Sequence, residues 1–106
     1  MKPPNLREST IENAVVRYAK KHGVRSIKLA GSHDRGKPDR EFLYKGRVLF
    51  IEFKRPGGKP TELQLKWQRE LTLEGFTSLI IDNIKDGMTA IDDFIKLAIT
   101  NQTRNV

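Results

Sequence analysis

Apolar residues recur at helical spacing near the start of the chain: Ile11, Ala14, Val15, Tyr18 and Ala19 share one face, and Gly23 supplies a stop. Ser9, followed three residues on by Glu12, has the spacing of a capping box, so "STIENAVVRYAKKHG" predicts a first helix. The pattern then changes. "VRSIKLA" alternates as a strand does, and the polar "GSHDRGKPD", broken by glycines and Pro38, predicts a loop. "REFLY" and "RVLFIEFK" are rich in aromatic and β-branched residues and are separated only by Lys45 and Gly46, which predicts a hairpin. "RPGGKP" ends its second strand. "TELQLKWQRELTLEG" predicts a second helix with Thr61 as N-cap, Leu63, Trp67 and Leu71 facing the core, and Gly75 as its stop. "TSLIID" predicts a buried strand, and "TAIDDFIKLAI" a last helix on Ile91, Phe94, Ile95 and Ala98. The order α-β-β-β-α-β-α gives a mixed α/β (α+β) class: a small mixed sheet with helices on its faces. It forms one domain, with a core over about 9–99 and flexible tails over 1–8 and 100–106.

One strand breaks its own pattern. Val48 to Ile51 are core residues in a row, yet Glu52 and Lys54 follow where more core is expected. A charge taken out of water costs several kcal/mol unless it is paired or holds a metal. With a two-residue turn at Lys45-Gly46, Tyr44 opposes Arg47, Phe42 opposes Leu49 and Asp39 opposes Glu52. Directly opposed residues have Cβ atoms about 5 Å apart on one face, and Lys54 lies about 6.6 Å further along that face. Two carboxylates so close repel each other when ionised, so they need a raised pKa or a cation. Mg²⁺ takes one or two carboxylates and keeps other positions for water and phosphate, which Asp39 and Glu52 fit. A lysine beside such a site can steer the attacking water and neutralise charge on a phosphate. An Asp39-Lys54-Glu52 ion-pair cluster that only closes the sheet edge is the alternative.

Further polar residues border the apolar stripes. Glu12 falls inside the apolar arc of the first helix, where it can cap the helix, point at the same site, or do both. Gln64 and Gln68, one turn apart, either hold a phosphate or a water or are surface residues.

Charge narrows the partner. The 106 residues carry a net charge of +7, with 17 Lys and Arg against 7 Asp and Glu over residues 1–69 and 3 against 6 over 70–106. The basic part surrounds the anomalous strand, and such a field suits a polyanion, nucleic acid first, with plain solubility the alternative that charge alone leaves about even. With 37% hydrophobic and 31% charged residues, no signal-peptide pattern and no run able to span a bilayer, the chain reads as a soluble cytoplasmic protein with no membrane partner. The absence of cysteine excludes disulfides and thiolate zinc sites.

The stretch "GKPDREFLYKGRVLFIEFKRPGGKPTELQLKWQRELTLEG" resembles the virus-type replication-repair nuclease (VRR-NUC) module of the PD-(D/E)XK nuclease superfamily. "KPD" matches its aspartate and "IEFK" its E-x-K, and "T-x-x-Q" follows in order; the likeness runs from about Glu12 to Phe76. The resemblance implies an α-β-β-β-α-β core and Mg²⁺- or Mn²⁺-dependent cleavage of DNA. It implies metal ligands at Asp39, Glu52 and the main-chain carbonyl of Phe53, a catalytic Lys54, and Glu12 completing the metal shell directly or through water. Gln64 matches the second-helix glutamine. Lys37 and Glu41 stand where the family usually has apolar residues. Stand-alone members resemble phage enzymes that act as symmetric dimers on four-way (Holliday) junctions in DNA repair.

The expectation is therefore a homodimeric, structure-selective endodeoxyribonuclease, with Arg35, Lys37, Arg55 and Lys59 flanking the site to meet phosphates. A flap or single-strand nuclease shares that chemistry. A non-catalytic DNA-binding module fits less well, because acids beside phosphates give a pure binder nothing, and a basic RNase toxin would more usually rely on His, Arg or Tyr. His33 reads as a solvated loop residue, Asp92 and Asp93 as a solvated pair, and Trp67 as core.

Overall fold

The computed structural model describes residues 6–29 and 35–104, with side chains described through residue 100. In chain order the elements are α1 (Glu8–Lys21), β1 (Arg25–Lys28), β2 (Arg40–Tyr44), β3 (Arg47–Phe53), α2 (Glu62–Leu73), β4 (Thr77–Ile81) and α3 (Ile84–Arg104). The predicted order α-β-β-β-α-β-α is observed. The strands form one sheet in the order β1-β2-β3-β4, antiparallel across the first two pairs and parallel between β3 and β4. A parallel pair needs a crossover, and α2 provides it.

The β2–β3 hairpin sets the register on which the site depends. Lys45 (φ 51°) and Gly46 (φ 79°) both take positive φ, as a two-residue turn of matching twist requires. Tyr44 therefore opposes Arg47, and the ladder runs through Phe42 and Leu49 to Arg40 and Ile51. Asp39 lies one residue beyond its end. Alternation then separates two faces. Phe42, Leu49, Ile51, Phe53 and Ile81 pack with Ile11, Val15 and Ala19 of α1 and Ala90, Ile91 and Phe94 of α3. Glu52, between Ile51 and Phe53, points to the other side, where Gln64 of α2 meets it.

Three local expectations change. First, α1 starts at Glu8 with Arg7 as N-cap and no side-chain cap bond, so the Ser9–Glu12 capping box does not form. Glu12 is buried on the core-facing arc, and its carboxylate instead takes Arg40 and Lys28, charged donors that a backbone N–H cannot match. Second, of the α2 stripe only Leu71 is buried. Leu63 is 48% exposed, and Trp67 is half-buried with its indole N–H donating to the Arg35 carbonyl at 3.0 Å, because this end of α2 meets the 35–38 loop rather than the main core. Third, α3 starts at Ile84 rather than Thr89. Asn83 Oδ1 accepts from the Asp86 N–H at 2.8 Å, capping a turn that the loop-like "NIKDG" concealed. Gly87 then allows α3 to press on Val15, where a Cβ has no room. No helix among the described residues is long and apolar enough to cross a membrane.

Candidate active site

Asp39 and Glu52 meet where the hairpin's strands leave the sheet. Asp39 is fixed twice: its carbonyl accepts from Leu29 N–H at 2.9 Å, and its Oδ2 accepts from Phe53 N–H at 2.8 Å. Glu52 is only 6% exposed, and its Oε2 accepts from Gln64 Nε2 at 2.8 Å with Lys54 Nζ 3.7 Å away. Lys54 is itself anchored through its N–H to the Ile81 carbonyl at 2.8 Å. The first turn of α1 adds Glu8. One carboxylate oxygen from each of Glu8, Asp39 and Glu52 lies within 4.8 Å of the others.

The electrostatics of this cluster are unbalanced. Burial, then the charges of Asp39 and Glu8, push Glu52 from 4.5 up to about 8, against the opposing pull of Lys54. Asp39 is also raised, chiefly by burial, although the Phe53 N–H lowers it. Glu8, Asp39 and Glu52 face one ammonium, Lys54, while the charge of Glu12 raises and that of Lys28 lowers Asp39, so negative charge is left uncompensated in a partly buried place. The donors are all hard oxygens, which suits Mg²⁺ or Mn²⁺ and is a poor match for softer metals. The residues fit a divalent cation.

No protein-family model matches the chain. It is 35% identical over 79 residues to "Putative nuclease p44" of Acyrthosiphon pisum secondary endosymbiont phage 1, spanning 74% of this chain and 85% of that protein. Its fold matches a solved "VRR_NUC domain" with a TM-score of 0.72 and 22% identity, over 80% of this chain and 94% of that one. The chain belongs to the family of that phage nuclease and has the VRR-NUC fold.

In this chain Asp39, Glu52 and Lys54 come together as their spacing implied, and Gln64, matched through the resemblance, joins them, whereas Glu12 is held elsewhere. Its Oε2 receives Arg40 Nε and, at 3.0 Å, Lys28 Nζ, and Arg40 Nη1 continues to Ser26 Oγ at 2.9 Å. The α1 acid in the cluster is Glu8, one helical turn earlier on the same face. Sequence reasoning missed Glu8 because it precedes the apolar arc; its spacing of four residues from Glu12 was the available signal.

Gln64 serves two purposes. Its Oε1 accepts from Thr61 N–H at 2.9 Å and its own N–H donates to Thr61 Oγ1 at 3.2 Å, a complete capping box, while its Nε2 reaches Glu52. Gln68 is tied to the Ser78 carbonyl at 2.9 Å, a purely structural contact.

Arg35, Arg55 and Lys59 are exposed, and Lys37 is half-buried in the loop that precedes Asp39. The "RPGG" turn is held to the end of β4 by Gly57 N–H donating to Asp82 Oδ2 at 3.1 Å; this bond and the Asn83 amide, the larger cause, keep Asp82 below its usual range. Asp92 is not simply solvated, since it accepts the Tyr18 hydroxyl at 2.6 Å, joining α3 to α1 and raising the Tyr18 pKa. Glu41 lies between Ile27 and Phe50 in the sheet. His33 falls outside the described residues.

Proposed function

We propose that this chain of VRR-NUC fold is a metal-dependent DNA endonuclease selective for branched DNA, four-way junctions foremost, acting as a homodimer. The observation that carries it is the meeting of Glu8, Asp39 and Glu52 oxygens within 4.8 Å beside Lys54, in the basic part of the chain. Glu8, Asp39, Glu52 and the main-chain carbonyl of Phe53 would hold Mg²⁺ or Mn²⁺, which when bound polarises the phosphate and acidifies a water. Gln64 fixes the Glu52 carboxylate in one orientation. Lys54, aligned by its neighbour in the strand, orients the attacking water and neutralises charge growing on the phosphate. Arg35, Lys37, Arg55 and Lys59 hold the DNA backbone in line with the attack.

α1 and α3 pack on the core and α2 lies against the sheet and the 35–38 loop, so none of the described helices stands free to enter a major groove and read bases. Selection then rests on DNA shape, and two copies related by a two-fold axis would cut the two matching strands of a junction symmetrically. Such work belongs to recombination and repair of DNA in the cytoplasm. The test is to incubate the protein with labelled duplex, flap and four-way-junction DNA in chelator, Mg²⁺ or Mn²⁺, beside Asp39→Asn and Lys54→Ala. Metal-dependent paired cuts in the junction, absent from both variants, are expected. Cutting that survives chelation or both substitutions would overturn the enzyme reading, and a flap or linear duplex cut faster than the junction would replace the substrate.

A further inference from the structure

The strand that ends in Glu52 starts, at Arg47, in a second feature. An open groove of about 810 Å³ is lined by His22 from the α1–β1 connection, Arg25 at the start of β1, Tyr44, Lys45 and Arg47 from the hairpin, and Val48. His22, Arg25, Lys45 and Arg47 are exposed, and no acidic side chain is among the lining residues. Among the described residues the ion pairs belong to Lys28, Arg40, Lys54 and Lys66, so Arg25, Lys45 and Arg47 have no carboxylate partner. Their scaffold is rigid. Arg47 is fixed opposite Tyr44 by the tight turn, Lys45 Nζ sits 5.7 Å above the Tyr44 ring, and the His22 ring packs on Tyr18 at 4.4 Å.

We infer that this groove is a second docking site for the phosphate backbone of a DNA duplex, apart from the cleavage centre. Cations of one sign around a concave surface repel each other unless an anion lies between them, and a chain of phosphates supplies regularly spaced anions. The groove wraps the end of the sheet: Arg25, Leu43 and Val48 form one row on the side of β3 that carries Glu52, whereas Tyr44 and Arg47 lie on the opposite side, with Phe42 and Leu49. Five residues of strand separate Arg47 from Glu52, about 17 Å. Glu41 lies in the row between, where a continuous run of phosphates would meet a carboxylate. A duplex avoids this, because its two phosphate ridges stand apart on either side of a groove, so that one ridge reaches the catalytic end and the other the end of the sheet that carries Arg25, Lys45 and Arg47.

The inference rests on the nuclease reading only for which end is cut, and the experiment separates the two. The triple variant Arg25→Gln/Lys45→Gln/Arg47→Gln is compared with the wild type and with Arg69→Gln/Lys85→Gln/Lys96→Gln, which removes equal charge from exposed positions elsewhere. Binding to a 20-base-pair duplex is measured by fluorescence anisotropy in chelator across a salt series, and KM is measured in Mn²⁺. The groove variant is expected to lose at least about tenfold in affinity and two to three phosphates' worth of salt slope, about 0.9 per contact, with a raised KM. The control variant should keep most of its affinity, and a single strand of equal length should lose less than the duplex. Unchanged affinity and slope, or an equal loss in the control, would overturn the groove while leaving cleavage standing. A wild type that never cuts but whose groove variant still loses duplex affinity would overturn the nuclease reading and keep the groove.

Discussion

Glu52 is asked to do two opposed things, and its protonation shows the conflict. In metal-free protein it holds a proton up to about pH 8, whereas in the unfolded chain it loses it near 4.5. Over that window the folded state binds more protons, so this stabilisation is complete below about pH 4.5 and is lost as pH rises through 8. Asp39 shifts in the same sense. Thermal melts in chelator should therefore show Tm falling from pH 5 to pH 8.5, and Glu52→Gln should flatten that slope while lowering cleavage about 10³-fold. A wild-type Tm that is flat over this range would contradict the electrostatics. Glu8 and Glu12 should separate just as clearly. Glu8 is exposed, so Glu8→Gln should weaken the Mn²⁺-induced rise in Tm and leave the metal-free protein unchanged near pH 5, where Glu52 is protonated. Glu12→Gln removes the partner of Arg40 and should cost about 1–3 kcal/mol in urea unfolding. Asp39, Glu52 and Lys54 were legible because a short turn fixes their register. The exchange of Glu12 for Glu8 was not, because the cations that hold Glu12 come from β1 and β2.

At the scale of elements, two stretches with capping-box spacing met different fates. Thr61 and Gln64 form the box, whereas Ser9 and Glu12, equally spaced, do not. The difference lies outside each helix, in what else the acid or amide can reach. Gln64→Ala removes both the reciprocal cap and the donor to Glu52, so it should cost about 1 kcal/mol by denaturant melt and lower cleavage as well. Gln64→Glu keeps an acceptor for Thr61 and should recover most of the stability in Mn²⁺ but little at pH 8 in chelator, where it faces Glu52 as a second carboxylate. Gly36 shows how the loop before Asp39 is held. Its φ is +85°, and a Cβ there would stand 2.6 Å from the Leu63 backbone, so Gly36→Ala should push the loop off α2. A loss of about 1–3 kcal/mol and a blue-to-red shift in Trp67 emission would report it. A Tm and an emission maximum equal to wild type would show the contact to be dispensable.

For the whole molecule, metal and fold are linked. A cation that binds only the folded chain at 100 times its Kd adds about 2.7 kcal/mol, and below about pH 8 it must displace a proton from Glu52 to bind. The Mn²⁺-induced rise in Tm should therefore be larger at pH 8 than at pH 5, and differential scanning fluorimetry in Mn²⁺ and in chelator measures it. An equal rise at both pH values would mean that the acids are not the ligands. The element order, the hairpin register and the acid-acid-lysine end of β3 were determined by the sequence itself, since each follows from period, turn chemistry and spacing within a short stretch. Only the tertiary structure decided that α1 delivers Glu8 instead of Glu12, that α2 turns Leu63 and Trp67 to a loop, that α3 starts before Gly87, and that Arg25 joins Lys45 and Arg47 in one groove. The reason is common to all four. Each depends at least in part on a charge or a surface brought from another element, α3 on its seat against Val15 as well as on its local Asn83 cap, and the periodicity within a segment carries no information about partners outside it.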